Sequence, residues 1–272
     1  MRPLVAFGAA HTDRIARLDG PPQPASVPGR IRTHPGGAAL NVVRHVAGAG
    51  GEVRLFSLGP VQDLPNLPER LELTSLLGAC AEAASYTAII APDGDLVVAV
   101  SDMRAYDDFV WPNGFLVPKA DDVLVDANLP AEALSALVDA LAPTTRVYAM
   151  AVSAAKIGRL RPIAARIEVC FANRREIEGL CGSLDAAADM FGSVLMTDGP
   201  GAIHYARGTE RSALAVEPVT PIDVTGAGDA VAGGFLAARL AGADVETAMR
   251  AGRAAAARTL AVEGPFPHMR AP

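Results

Sequence analysis

From about residue 122 onward, short apolar runs alternate with helical patterns, and few folds accommodate that alternation. Strand-like runs at 123–125, 146–150, 169–171 and 194–196 are separated by helix-like stretches at 130–141, 154–165 and 174–180. Runs apolar at every position must be covered on both faces, and parallel neighbours need helical crossovers. The pattern therefore predicts a three-layer α/β/α domain with a mostly parallel central sheet.

The first 120 residues add smaller units to that frame. A buried strand is expected over 4–9, then a Pro/Gly-rich, irregular extended stretch over 14–35. Gly36-Gly37 opens a helix carrying Val42, Val43 and Val46, followed by a strand over 53–58 and a short helix over 67–77. Residues 86–100 read as a hairpin, because two β-rich runs flank Ala91-Pro92-Asp93-Gly94-Asp95, which has turn chemistry. Strands near 202–205 and 212–216 and helices over 227–240, stopped near Gly242, and 245–261 complete the chain. The expected organisation is one α/β domain over 1–272, with a small β flap from about 14–35 and 84–103 beside a cleft. Such a lid would exclude water from a reaction in which hydrolysis competes.

Composition removes several classes of function. Half of the 272 residues are hydrophobic and a fifth are charged, as in a folded globular protein. A net charge of −6, with Lys119 and Lys156 as the only lysines, argues against a general nucleic-acid binder. The apolar run at the start is too short for a secretion signal, and no stretch reaches transmembrane length. Cys80, Cys170 and Cys181 form no CxxC pair, which fits small core thiols in a cytoplasmic protein better than a zinc site.

One segment carries chemistry. Asp223-Val-Thr-Gly-Ala-Gly-Asp229 is a Gly-rich turn leading straight into an apolar helix. Unpaired N–H groups at a helix start cradle anions, and glycines allow close approach. Asp229 is either an acid that stabilises the helix dipole or a base beside that cradle. The second reading points to phosphoryl transfer onto a hydroxyl, with the amides holding the developing charge. The chain has no P-loop motif, no third glycine for a dinucleotide fingerprint, no HExxH and no GxSxG.

With these residues in place, the chain resembles the ribokinase-like (PfkB) family of carbohydrate and nucleoside kinases. The resemblance rests on Gly36-Gly37-x-x-x-Asn41, on Asn173-Arg174-Arg175-Glu176 and on Asp223-x-Thr225-Gly226-Ala227-Gly228-Asp229, in the family's order across nearly the whole chain. It implies that Asp229 is the base and that Gly226, Ala227 and Gly228 form the anion hole. Asp13, Gly36, Gly37 and Asn41 would bind the acceptor's hydroxyls. ATP would meet Asn173, Thr197, Gly199, Gly226 and Gly228. Glu176 would hold Mg²⁺ through water, and Asp223 and Thr225 resemble positions that bind a monovalent cation such as K⁺ in some relatives.

Three further stretches resemble the pseudouridine kinases within that family: 101–103, 126–130 and 152–156, which nominate Asp102, Asn128 and Lys156 as acceptor contacts. The chain departs from the family at His11, where Asn is usual, at Gly59-Pro60-Val61-Gln62-Asp63 in place of Gly-Asp-x-x-Gly, and at Met150-Ala151 in place of Asp-Pro. The expectation is an ATP-dependent kinase for a primary hydroxyl of a small ribose-containing molecule, with pseudouridine leading. Alternatives are another sugar or nucleoside kinase, such as a ribokinase, or a non-catalytic nucleoside sensor. Neither nucleic acid nor membrane is expected as a partner. The alternating apolar residues of the hairpin suggest a homodimer through the lid.

Overall fold

The structure, a computed structural model, describes residues 1–59, 67–76, 84–262, 264 and 266. Its larger sheet has nine strands. They are β1 (Leu4–Phe7), β4 (Val53–Ser57), β5 (Leu71–Ser75), β8 (Asp122–Asp126), β9 (Arg146–Met150), β10 (Ile167–Asn173), β11 (Val194–Thr197), β12 (Ala202–Arg207) and β13 (Glu210–Ala215). Their order is β13-β12-β11-β10-β9-β8-β1-β4-β5, parallel from β5 through β11, with an antiparallel pair closing one edge. The α/β class read from the alternation is the observed one.

Strand parity assigns the two faces. Leu4, Ala6, Leu124, Tyr148 and Phe171 point to one side, where α1 (Ala38–Gly48), α6 (Ala227–Leu240) and α7 (Val245–Leu260) pack. Phe7, Val123, Val125, Val147 and Ala149 point to the other. That side is covered by α3 (Ala131–Ala140), a 3-10 helix (Ile157–Arg166), α4 (Arg174–Cys181) and α5 (Leu184–Met190). Both faces are dry, which is why the central strands are apolar at successive positions. Cys170 belongs to this core, and burial pushes its thiol up; Cys80 lies outside the described residues.

A second sheet of four strands, in the order β3-β2-β6-β7, is built from β2 (His11–Leu18), β3 (Gly29–Gly36), β6 (Ser85–Ile90) and β7 (Leu96–Asp102). Gly94, at φ 96°, completes the turn between β6 and β7. A one-turn helix, α2 (Arg104–Asp107), follows. The stretch 14–35, expected to be irregular, instead forms most of an antiparallel pair. Its mixed composition fits a sheet whose one face never enters the core. The helix expected near 67–77 is corrected as well. Leu71-Glu72-Leu73-Thr74-Ser75 alternates and adds a parallel edge strand beside β4. Pro162 lies within the segment read as an α-helix over 154–165, which is a 3-10 helix from 157.

The N-terminal edge of the sheet is fastened by one buried acid. Asp122, 0 % exposed, accepts from Arg146 Nε and Nη2 at 2.7 Å each, from Arg2 Nε at 2.8 Å and from the Tyr148 hydroxyl at 3.0 Å. Burial alone would raise this carboxyl; hydrogen bonds from Arg146 and Arg2 overcome it and hold it below the ordinary carboxylate range. Breaking such a pair from one side costs about 3–5 kcal/mol. We therefore expect Asp122→Ala to lower unfolding free energy by about 3 kcal/mol in urea melts at pH 7 while catalysis persists. A group with a depressed folded pKa stabilises above its unfolded value of about 4, and that contribution should fade as acid titrates the native carboxylate.

Candidate active site

The chain runs one way from β1 to β4 and the other way from β8 to β11, so the sheet has a topological switch between β1 and β8. In open α/β sheets the crevice beyond the strands' carboxyl ends at such a switch is where ligands sit. A cleft of about 1060 Å³ occupies this place, running from His11 and Asp13 past Asp229 to Thr197, Val216 and Leu260.

The catalytic candidate is placed by two helices. Gly226, with φ 75°, turns the backbone into α6, and no side chain caps that helix. The first intrahelical bond is Ala230 N–H to Gly226 O at 2.8 Å, so the earlier N–H groups of Gly228 and Asp229 are left for a ligand. Asn41, on α1, donates through Nδ2 to Asp229 Oδ2 at 2.9 Å, while its own Oδ1 is buried with no partner among the described residues. Burial pushes the Asp229 carboxyl up to about 7. The Asn41 hydrogen bond opposes that rise, and the charges of Asp126, Glu176 and Asp13 add to it.

At one end of the cleft, Asp13 and His11 lie on the same face of β2, with His11 Nδ1 3.0 Å from Asp13 Oδ1. Gly36 pairs with His11 across β3, and Gly37 (φ 112°) leads into α1. A Cβ on Gly36 would fall 2.3 Å from the Asp13 carboxyl atoms. At the far wall, Lys156 Nζ donates to Asn128 Oδ1 at 2.8 Å. Burial pulls the Lys156 amine down.

At the other end, Thr197 and Gly199 line the cleft at the end of β11 beside Ala227 and Gly228. Asn173 and Glu176 form a capping box at the start of α4: Asn173 Oδ1 accepts from Glu176 N at 3.0 Å, and Glu176 Oε2 accepts from Asn173 N at 2.7 Å. Burial raises the Glu176 carboxyl. Its Oε2 is committed to the cap, which leaves Oε1 for a metal-bound water. That suits Mg²⁺, which keeps much of its hydration and needs few protein ligands.

Of the residues read from the sequence, Gly36 and Gly226 adjoin the cleft without lining it, and three more fall elsewhere. Asp102 does not line the cleft; strand alternation turns Ser101 and Tyr86 inward, and Asp102 pairs with Arg104 at 2.7 Å in solvent. Asp223 and Thr225 border a separate recess of about 250 Å³, where Asp223 accepts from Thr225 N (2.8 Å) and Gly264 N (3.2 Å). Arg17, Arg30 and Arg32 line that recess and balance Asp13, Asp19 and Asp223, so it offers K⁺ no net negative charge. Of the departing loop, only Gly59 is among the described residues.

Sequence reading passed over His11, Tyr86, Ser153 and Val152 as cleft residues. Val152 has φ 68°, the only positive value among described non-glycine residues, and Ser153 N bonds to Ala151 O at 2.8 Å around it. This tight γ-type turn strains a β-branched residue at the cleft wall. No composition signal marks such a turn.

Residues 72–269 match the pfkB family of carbohydrate kinases, and the chain belongs to that family. It is 28% identical to a nucleoside kinase of Methanothermobacter thermautotrophicus, over 97% of this chain and 91% of that protein. It is 25% identical to a pseudouridine kinase of Escherichia coli, over 77% and 74%. The ribokinase of Thermotoga maritima shares the fold at a TM-score of 0.79 and 19% identity, covering 100% of this chain and 97% of that one. The protein is thus an ATP-dependent sugar or nucleoside kinase with a ribokinase-like fold. The resemblance read from the three motifs holds.

The contact between Gly36 and the Asp13 carboxyl is open to test. Gly36→Ala should push the Asp13 side chain aside and raise the KM for the acceptor at least tenfold, with the KM for ATP nearly unchanged, in steady-state kinetics.

Proposed function

We propose that the protein phosphorylates the primary hydroxyl of a ribonucleoside, with pseudouridine, giving its 5′-phosphate, as the leading acceptor. One observation carries this reading. A single cleft joins the Asp13 hydroxyl-binding end to the Thr197 nucleotide end, and Asp229 lies between them with a pKa near 7. Asp229 takes the hydroxyl proton, and the freed oxygen attacks the γ-phosphorus of ATP in line. The bond to the β–γ bridging oxygen breaks and ADP leaves. The N–H groups at the start of α6 hold the charge that develops on the transferring phosphoryl. When bound, Mg²⁺ would neutralise the phosphate oxygens from the side of Glu176.

Asn128 and Lys156 favour a nucleoside over a bare sugar. An ammonium is a donor only, and the carbonyl oxygens of a uracil-type ring are acceptors that match it. The similarity to the Escherichia coli pseudouridine kinase supports the same choice. A panel of pseudouridine, uridine, cytidine and ribose with coupled ADP detection tests it, and no turnover of pseudouridine rejects it. A preference for ribose would instead support the ribokinase alternative.

The four-stranded sheet is proposed to act as a lid on one domain and as a dimer face. The side of β2, β3, β6 and β7 that carries Asp13, Tyr86 and Ser101 borders the cleft; the opposite side shows Ile31 (71 % exposed), Ile89, Val98 and Val100 (62 %). A second copy would cover those apolar side chains. Light scattering should give a dimeric mass that Val100→Asp halves.

Two outcomes test the chemistry. Asp229→Asn should cut kcat by at least a thousandfold with nucleotide binding kept; near-normal turnover would refute the base. For native enzyme, kcat/KM should be flat above pH 7 and fall tenfold per unit below it, because only the carboxylate accepts the proton.

A further inference from the structure

The wall opposite the nucleotide end has two parts, the α1 end carrying Asn41 and the Asn128–Lys156 arm. Both meet one carboxylate behind it. Asp126, the last residue of β8, is 0 % exposed and does not line the cleft. Its Oδ2 accepts from Ala9 N at 2.8 Å, from Ala39 N at 3.2 Å and from Asn128 Nδ2 at 3.2 Å, and its Oδ1 accepts from Asn128 N at 3.0 Å. The bond to Ala9 ties the end of β1 to that of β8 across the switch in the sheet. The bond to Ala39 caps α1, which has no side-chain cap from its own N-terminal residues.

The side-chain bond to Asn128 fixes which way its amide faces. With Nδ2 turned to an acceptor-only group, Oδ1 must face outward, where it receives Lys156 Nζ. Asp126 thereby aims the lysine through one intermediate. The room for this comes from Gly8, where a Cβ would lie 2.6 Å from Asp126 Cγ and 2.7 Å from the Ala39 Cβ.

We propose that Asp126 is the positioning residue of the acceptor site, holding Asn41 and Lys156 in register through α1 and Asn128 without touching either substrate. All four partners are donors, so the group works as a carboxylate, although burial pushes it up. Its charge also reaches Asp229 and contributes to that residue's raised value. The inference rests on the acceptor reading above for the roles of Asn41 and Lys156, but its test does not depend on pseudouridine.

Asp126→Asn should keep the fold, raise the KM of whichever panel acceptor the native enzyme phosphorylates at least tenfold, and leave the KM for ATP within twofold. Carbon-13 NMR of the acceptor-free protein should show Asp229 titrating at lower pH than in the native chain, because a neighbouring charge is gone. Equal changes in both KM values, or an unmoved acceptor KM with an unmoved Asp229 titration, would overturn the assignment. If Asp126→Asn does not fold, Gly8→Ala replaces it. That variant displaces the carboxylate without removing its charge, so the acceptor KM should rise while the Asp229 titration stays; no rise overturns the assignment. A native enzyme inactive on the whole panel counts against the nucleoside reading instead. The NMR titration of Asp126→Asn, or of Asp126→Ala should Asn not fold, then decides alone: a shift supports the role and none refutes it.

Discussion

The close approach of α1 to α6 is the constraint on which the Asn41–Asp229 pair in the cleft depends. At Gly233 a Cβ would sit 2.6 Å from the His45 Cβ and 2.7 Å from Val42 O, so a side chain there would force the two helices apart. With glycine in place, Asn41 on one helix reaches Asp229 on the other. Each helix enters at a glycine of positive φ, Gly37 and Gly226, so each presents its first turn to the same space. The small residues of α6 that look like low-information sequence are therefore what brings Asp229 and Asn41 together.

The electrostatic problem is unusual for a protein that handles ATP. The chain is acidic, has two lysines, and gathers Asp13, Glu176 and Asp229 around one cleft, with Asp126 buried behind it. Oriented N–H groups supply partial positive charge at two places, the uncapped start of α6 and the four donors around the Asp126 carboxylate. The acids are held apart by what each one accepts: a capping amide for Glu176, four N–H donors for Asp126, an asparagine for Asp229. Burial, with the neighbouring acid charges adding to it, pushes the Asp229 carboxyl up to about 7.

Much of this was legible before any coordinates, for identifiable reasons. The central strands could be read because burial on both faces leaves continuous apolar runs, and α6 because a Gly-rich start precedes a long apolar stretch. The motif residues Asp13, Gly37, Asn41, Thr197, Glu176 and Asp229 do line one cleft. What escaped depends on non-local or conformational facts. Leu71–Ser75 becomes a strand through pairing with β4, β2 and β3 support each other rather than the core, and the Val152 turn follows from tertiary packing. Asp102 was misread because a one-residue step in a strand reverses the direction of a side chain.

That same alternation has an evolutionary corollary in the four-stranded sheet. Asp13, Tyr86 and Ser101, which border the cleft, alternate along β2, β6 and β7 with residues of the opposite face, which on β6 and β7 include Ile89, Val98 and Val100. Substitutions on one face can thus accumulate with little effect on the other, so long as pairing register is kept. Any insertion of a single residue within these strands would exchange the two surfaces at a stroke, turning valines toward the cleft and an aspartate to water.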